Sequence, residues 1–175
     1  MERVRCVDDD AATRKLLVRL VGAAGHECVA ASSVEEARRM LGEQSFSVVL
    51  CDIGLPGLSG LELLGELART RPDIATVMVT GENDPSVANT ALQLGAYGYI
   101  TKPFGANELL IDLTNALHRR RLDAERRAAS ESALQHASAA TLTRLSRSVA
   151  FPDTPTGSHL HRVGASAGEI AWALG

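Results

Sequence analysis

Five short apolar runs, Arg3–Val7, Glu27–Ala31, Phe46–Cys51, Ile74–Thr80 and Tyr97–Thr101, alternate with helix-patterned stretches up to about residue 117. None of the runs alternates strictly between apolar and polar residues. Each therefore reads as a strand buried on both faces, the pattern of a parallel sheet. Parallel neighbours need a crossover long enough to hold a helix, and the intervening stretches supply one. Leu16, Leu17, Leu20 and Val21 share one helical stripe, and Leu61, Leu64 and Leu67 share another after Gly60. Val87, Ala91 and Leu94 form a weaker stripe that Pro85 is well placed to open. Gly22 and Gly25 are expected to stop the first helix and Gly95 the fourth.

Right-handed crossovers between five such units give an α/β fold, a five-stranded parallel sheet covered by helices on both faces. For this size the natural strand order is 2-1-3-4-5, the flavodoxin-like arrangement. In such sheets a ligand site forms beyond the carboxyl ends of the strands, beside the order switch between the first and third strands.

That rule gathers a specific set of side chains. Asp8 and Asp9 follow the first strand, Asp52 follows the third, Thr80 ends the fourth and Lys102 follows the fifth. Taken singly, each has a bland explanation: an aspartate after a strand often caps a helix, and a lysine is usually solvated. Fold stability gives no reason for all of them to stand at successive strand ends. Three clustered carboxylates repel one another, and a hard divalent cation relieves the repulsion. An all-oxygen, partly hydrated site suits Mg²⁺. Asp9 and Asp52 are the first-choice direct ligands, Asp8 acts directly or through water, and the main-chain carbonyl of Gly54 can complete the set. A free oxygen of Asp52 can then act as a nucleophile toward phosphorus. Phosphoryl transfer asks mainly for positioning and charge neutralisation, which Lys102 and Thr80 are placed to provide.

The blocks Val7-Asp8-Asp9-Asp10, Asp52-Ile53-Gly54-Leu55-Pro56-Gly57-Leu58-Ser59-Gly60, Val79-Thr80-Gly81 and Lys102-Pro103-Phe104 resemble those of two-component receiver domains, the CheY-like group, over residues 1 to about 120. The resemblance implies that Asp52 is the phosphoacceptor, that a sensor histidine kinase is the donor, and that Asp8 and Asp9 hold Mg²⁺. It implies that Thr80 and Lys102 sense the phosphoryl group and that the Lys102–Pro103 peptide is cis. It also makes Tyr99 a switch aromatic that turns inward when Thr80 moves, altering the surface of the fourth helix, fifth strand and fifth helix. Gly54 and Glu82 depart from the common pattern at positions tied to phosphoryl lifetime; Leu58 and Ser59 are departures expected to be harmless.

With 175 residues the chain has room for a domain at 1–118 and an extension. From Ala106 to about Ser148 there is no Pro or Gly, so the fifth helix is expected to continue as a linker over 119–150. Leu110, Leu113 and Leu117 are expected to pack on the sheet. Homodimerisation through this extension, or through the face of the fourth helix, fifth strand and fifth helix, is the expected assembly. Arg119, Arg120, Arg121, Arg126 and Arg127 are interleaved with Asp123 and Glu125 and have no aromatic neighbours, which reads as a solvated helix face rather than a nucleic-acid surface. No apolar run reaches the ~18 residues of a membrane span, and Asp8 to Asp10 interrupt the only N-terminal apolar stretch. Cys6, Cys28 and Cys51 lie in apolar runs and are expected to be reduced core residues. A cytoplasmic protein is the expectation.

Residues 151–175, with Thr156-Gly157-Ser158-His159 followed by Arg162, resemble the opening of HD-GYP domains, metal-dependent phosphodiesterases of cyclic di-GMP. The resemblance makes His159 a metal ligand in a full-length output domain. Pro155 stands where many members carry a glutamate, and neither the His-Asp pair nor the Gly-Tyr-Pro loop is present. The segment is therefore expected to be a truncated output region without phosphodiesterase activity. The expected role is a phosphorylation-controlled regulator rather than a turnover enzyme, the alternative being the regulatory piece of such a phosphodiesterase. A haloacid-dehalogenase phosphatase would want Asp, not Gly54, two residues after the nucleophile. A flavin-binding flavodoxin would not place three aspartates in its phosphate loop, and a phosphorylation-independent scaffold would not need the five site residues.

Overall fold

The computed structural model describes residues 1–81 and 84–149. The elements run β1 (Arg3–Val7), α1 (Ala11–Ala23), β2 (Glu27–Ala31), α2 (Val34–Glu43), β3 (Val48–Cys51), α3 (Gly60–Thr70), β4 (Ala75–Thr80), α4 (Pro85–Gln93), β5 (Gly98–Thr101) and α5 (Ala106–Val149). All neighbouring strands are parallel, and the sheet order is β2-β1-β3-β4-β5. The order expected from the sequence is the one observed.

Side chains along each strand alternate between two cores, as the period of two requires. Val4 and Cys6 of β1, Val48 and Leu50 of β3, and Val77 and Val79 of β4 meet Leu17 and Val21 of α1 and Leu109, Leu113 and Ala116 of α5. On the opposite face Val7, Val49, Cys51 and Met78 meet Ala37 and Leu41 of α2, Leu63, Leu64 and Leu67 of α3, and Ala91 of α4. Fully burying a leucine or valine contributes about 1.5–3 kcal/mol, so the two layers together hold the sheet between the helices. Cys6 and Cys51 are buried and Cys28 half-buried, all as free thiols, as the apolar runs suggested.

Several expectations shift in detail. β3, β4 and β5 begin at Val48, Ala75 and Gly98 rather than at Phe46, Ile74 and Tyr97. The backbone nevertheless pairs earlier: Ser47 N donates to Arg3 O at 2.8 Å, and Tyr97 N to Thr76 O at 2.8 Å. Gly22 lies inside α1, whereas Gly25 and Gly95, at φ 81° and 100°, turn the chain after α1 and α4 in the left-handed region. On α5 the inward stripe is Leu109, Leu113 and Ala116, with Leu117 flanking it.

The sheet and its helices form one unit, Met1–Ala124. α5 remains helical to Val149, in line with the Pro- and Gly-free stretch. The expected output segment 151–175, with His159, and the departure at Glu82 lie outside the described residues. Among the described residues no helix is long and apolar enough to cross a membrane.

Candidate functional site

Strand register brings the site together. Val7 pairs with Cys51, so the next residues of both strands leave the sheet side by side; Asp52 N donates to Val7 O at 2.9 Å and Asp8 N to Ala31 O at 3.2 Å. Thr80 pairs with Thr101, and Lys102 N donates to Thr80 O at 2.6 Å. The Lys102–Pro103 peptide is cis. At this rim Asp8, Asp9 and Asp52 each present a carboxylate oxygen, all within 4.8 Å of one another. Lys102 Nζ donates to Asp8 Oδ2 at 2.7 Å and to Asp52 Oδ2 at 2.6 Å. Asp8, Asp52 and Thr80 are buried, while Asp9 is exposed.

The remaining carboxylate oxygens are also held. Asp8 Oδ1 accepts from Asp10 N at 2.9 Å, and Asp52 Oδ1 accepts from Gly54 N at 3.2 Å. Gly54 is exposed, and a Cβ built on it would meet nothing within 4 Å, so the approach to Asp52 from that side is open. Burial pushes the Asp8 carboxyl above the usual carboxylate range; Lys102 and the Asp10 amide act against it, and the neighbouring Asp52 reinforces it. Burial works to lower the Lys102 ammonium, but its hydrogen bonds to Asp52 and Asp8 outweigh it and the result lies above the ordinary lysine value. Three carboxylates share one ammonium between them, an excess of negative charge that a divalent cation offsets. The donor set is all oxygen, which fits Mg²⁺.

Three supporting features escaped the sequence reading. Arg14 Nη1 donates to the carbonyls of Asp8 at 2.7 Å and Asp9 at 2.8 Å; no sequence pattern announces a contact between a helix side chain and a preceding turn's backbone. Gly60 opens α3 against Asp52, where a Cβ would come to 1.9 Å from the Asp52 carbonyl oxygen. Ser59 caps that helix: its side chain accepts from Leu61 N at 3.2 Å, and Glu62 Oε2 accepts from Ser59 N at 2.9 Å. The Ser59-x-x-Glu62 spacing was the legible signal for this capping box.

Tyr99 is half-buried on β5 and packs against the core under α2, α3 and α4. Part of the basic cluster on α5 is occupied within the unit. Arg119 donates to Tyr97 O at 2.9 Å and lies over the Tyr97 ring at 5.1 Å. Arg120 donates to Asp73 O at 2.6 Å. Those two arginines serve packing within the unit.

Comparison with known proteins gives a consistent picture. Residues 4–114 match the family described as response regulator receiver domain. The C4-dicarboxylate transport transcriptional regulatory protein DctD of Rhizobium meliloti is 36% identical over 121 residues, covering 69% of this chain and 26% of its own length. The transcriptional regulatory protein AruR of Pseudomonas aeruginosa is 37% identical over 122 residues, covering 67% of this chain and 50% of its own. The chain thus spans half or less of these relatives. Among solved structures, a response regulator receiver domain protein from Clostridium thermocellum is 32% identical with a TM-score of 0.66, covering 70% of this chain and 98% of that one. Response regulator TrrA of Thermotoga maritima, solved with Mg²⁺ and a beryllium fluoride group, is 29% identical at a TM-score of 0.62, covering 67% and 100%. The signal receiver domain of an HD domain-containing protein from Pseudomonas fluorescens is 25% identical at a TM-score of 0.67, covering 71% and 93%.

Proposed function

This chain belongs to the response regulator receiver domain family, and from that premise we propose that it accepts a phosphoryl group on Asp52 from a sensor histidine kinase. The observation that carries the reading is the grouping of Asp8, Asp9 and Asp52 within 4.8 Å, with Lys102 bridging Asp8 and Asp52. Asp8, Asp9, Asp52 and the Gly54 carbonyl would hold Mg²⁺, which supplies charge neutralisation to the phosphoryl oxygens. A carboxylate oxygen of Asp52 forms the new bond to phosphorus as the P–N bond of a phosphohistidine donor breaks, and the electron pair leaves with the imidazole nitrogen, which takes up a proton. Lys102 exchanges a carboxylate partner for a phosphoryl oxygen, and Thr80, buried at the end of β4, donates its hydroxyl to another. Water attacking phosphorus later breaks the Asp52 O–P bond, restoring the carboxylate and releasing inorganic phosphate together with the proton lost by the water.

Movement of Thr80 vacates space that Tyr99 takes, and the surface of α4, β5 and α5 changes with it, biasing a two-state element. α5 continues from this surface as one helix to Val149, so it is the outlet of the signal and a site of homodimerisation. The alternative reading is the regulatory piece of a cyclic di-GMP phosphodiesterase of the HD-GYP class, with no phosphodiesterase activity from these 175 residues and with His159 a metal ligand only in a full-length output domain. It is favoured by the Thr156 to Arg162 segment and by the likeness to the receiver of an HD domain-containing protein.

The central reading is tested by intact-mass measurement after incubation with acetyl phosphate and Mg²⁺. One added phosphoryl group is expected on the wild-type chain and none on Asp52→Asn. Equal labelling of the two would remove Asp52 from the chemistry, and no labelling of the wild type would remove the phosphoacceptor role itself.

A further inference from the structure

The turn between β1 and α1 must hold two adjacent carboxylates toward one point against their mutual repulsion. Its side chains are visible in the sequence; what orients its backbone is not. One guanidinium nitrogen, Arg14 Nη1, accepts the aim of two consecutive carbonyls, donating to Asp8 O at 2.7 Å and Asp9 O at 2.8 Å. The peptide planes on either side of Asp9 are thereby fixed, and only side-chain rotation is left to that exposed residue. The turn is closed from its other end by Asp10, whose carboxylate accepts from Thr13 N at 2.8 Å and Thr13 Oγ1 at 2.7 Å. Arg14 itself is half-buried and is carried by α1, whose Leu17 and Val21 are anchored in the core.

We infer that Arg14 is a positioning residue for the cation site, locking the Asp8–Asp9 backbone so that the acids are aimed before a cation arrives. The inference rests on the receiver reading of the site. Ordering a residue's backbone costs conformational entropy. A turn ordered in advance spares that cost at binding, which corresponds to roughly a tenfold gain in affinity. Charge alone has the opposite sign: a guanidinium near the site repels Mg²⁺, so its removal would tighten binding if electrostatics were its main influence. The direction of the change therefore separates the two roles.

The experiment is calorimetric Mg²⁺ titration of the full chain as wild type, Arg14→Met and Arg14→Lys, with amide hydrogen exchange of the metal-free proteins alongside. Arg14→Met is expected to weaken Mg²⁺ binding about tenfold and to speed exchange at Asp10, whose amide donates to Asp8, while the β3 amides stay protected. Arg14→Lys, which keeps a positive charge and a donor on the same side of α1, is expected to recover part of the affinity. Unchanged or tighter binding by Arg14→Met would overturn the inference. Should that variant not fold, Arg14→Gln is judged by the same two readings. Failure of the wild type to bind Mg²⁺ would instead sink the receiver reading.

Discussion

At the scale of single residues, Asp8 is the group on which burial and function conflict. It is fully buried, and burial holds its carboxyl above the usual range despite Lys102. A carboxyl raised in the folded state binds more protons there than in the unfolded chain. Stability conferred by it therefore falls as pH rises from the ordinary carboxylate value through the raised one. Above that window the whole penalty is present. Asp8→Asn is accordingly expected to stabilise the metal-free protein at pH 7, with Asp52 still pairing Lys102. The advantage should shrink as pH is lowered toward about 4, as seen by urea unfolding at several pH values. Saturating Mg²⁺ should reverse the ranking, since a ligand at about 100 times its Kd adds about 2.7 kcal/mol to the form that binds it. A variant less stable than wild type in EDTA at pH 7 would contradict this account.

Among the elements, α3 shows how closely a helix start can be tied to a site. Gly60 lets α3 begin directly against the Asp52 carbonyl, and any Cβ there collides with backbone, which cannot yield as a flexible side chain would. Gly60→Ala is expected to cost about 2–4 kcal/mol and to lower phosphoryl labelling of Asp52, because the strain falls on the residue that carries the carboxylate. Ser59→Ala removes the capping box and should cost about 1 kcal/mol with labelling retained. Thermal unfolding combined with intact-mass labelling checks both. Equal losses of labelling in the two variants would show that helix stability, not the close approach at Gly60, governs the site.

For the molecule as a whole, the unit that contains the sheet runs from Met1 to Ala124 and ties down the α5 residues at its end. The ties are polar and local. Tyr97 Oη donates to Asp123 at 2.8 Å, Arg119 to the Tyr97 carbonyl, and Arg120 to the Asp73 carbonyl. These ties fasten α5 beneath β4 and β5 at the end of the sheet opposite the acids. A chain ending at residue 118 is expected to be less stable than one ending at 124 by about 1–3 kcal/mol, given ~1 kcal/mol for each such hydrogen bond. Equal urea midpoints for the two would show that the ties contribute nothing.

The sequence by itself determined the strand count and order, both helical faces and the membership of the acidic rim. Those follow from periodicity and from a topological rule that acts on whole elements: Asp8, Asp9 and Asp52 needed only to follow strands to be placed together. Tertiary structure decided what depends on contacts between backbone and distant side chains. Arg5 is one of two arginines in β1. In the fold it is fully buried, with its guanidinium 4.2 Å from the Phe46 ring and directed at the carbonyls of Val29 and Ala30. The clearance at Gly60 and the reach of Arg14 to two carbonyls belong to the same class. Hydrophobic periodicity states which face of an element is covered, but a hydrogen bond or a collision depends on distances of a few tenths of an ångström, and packing alone sets those.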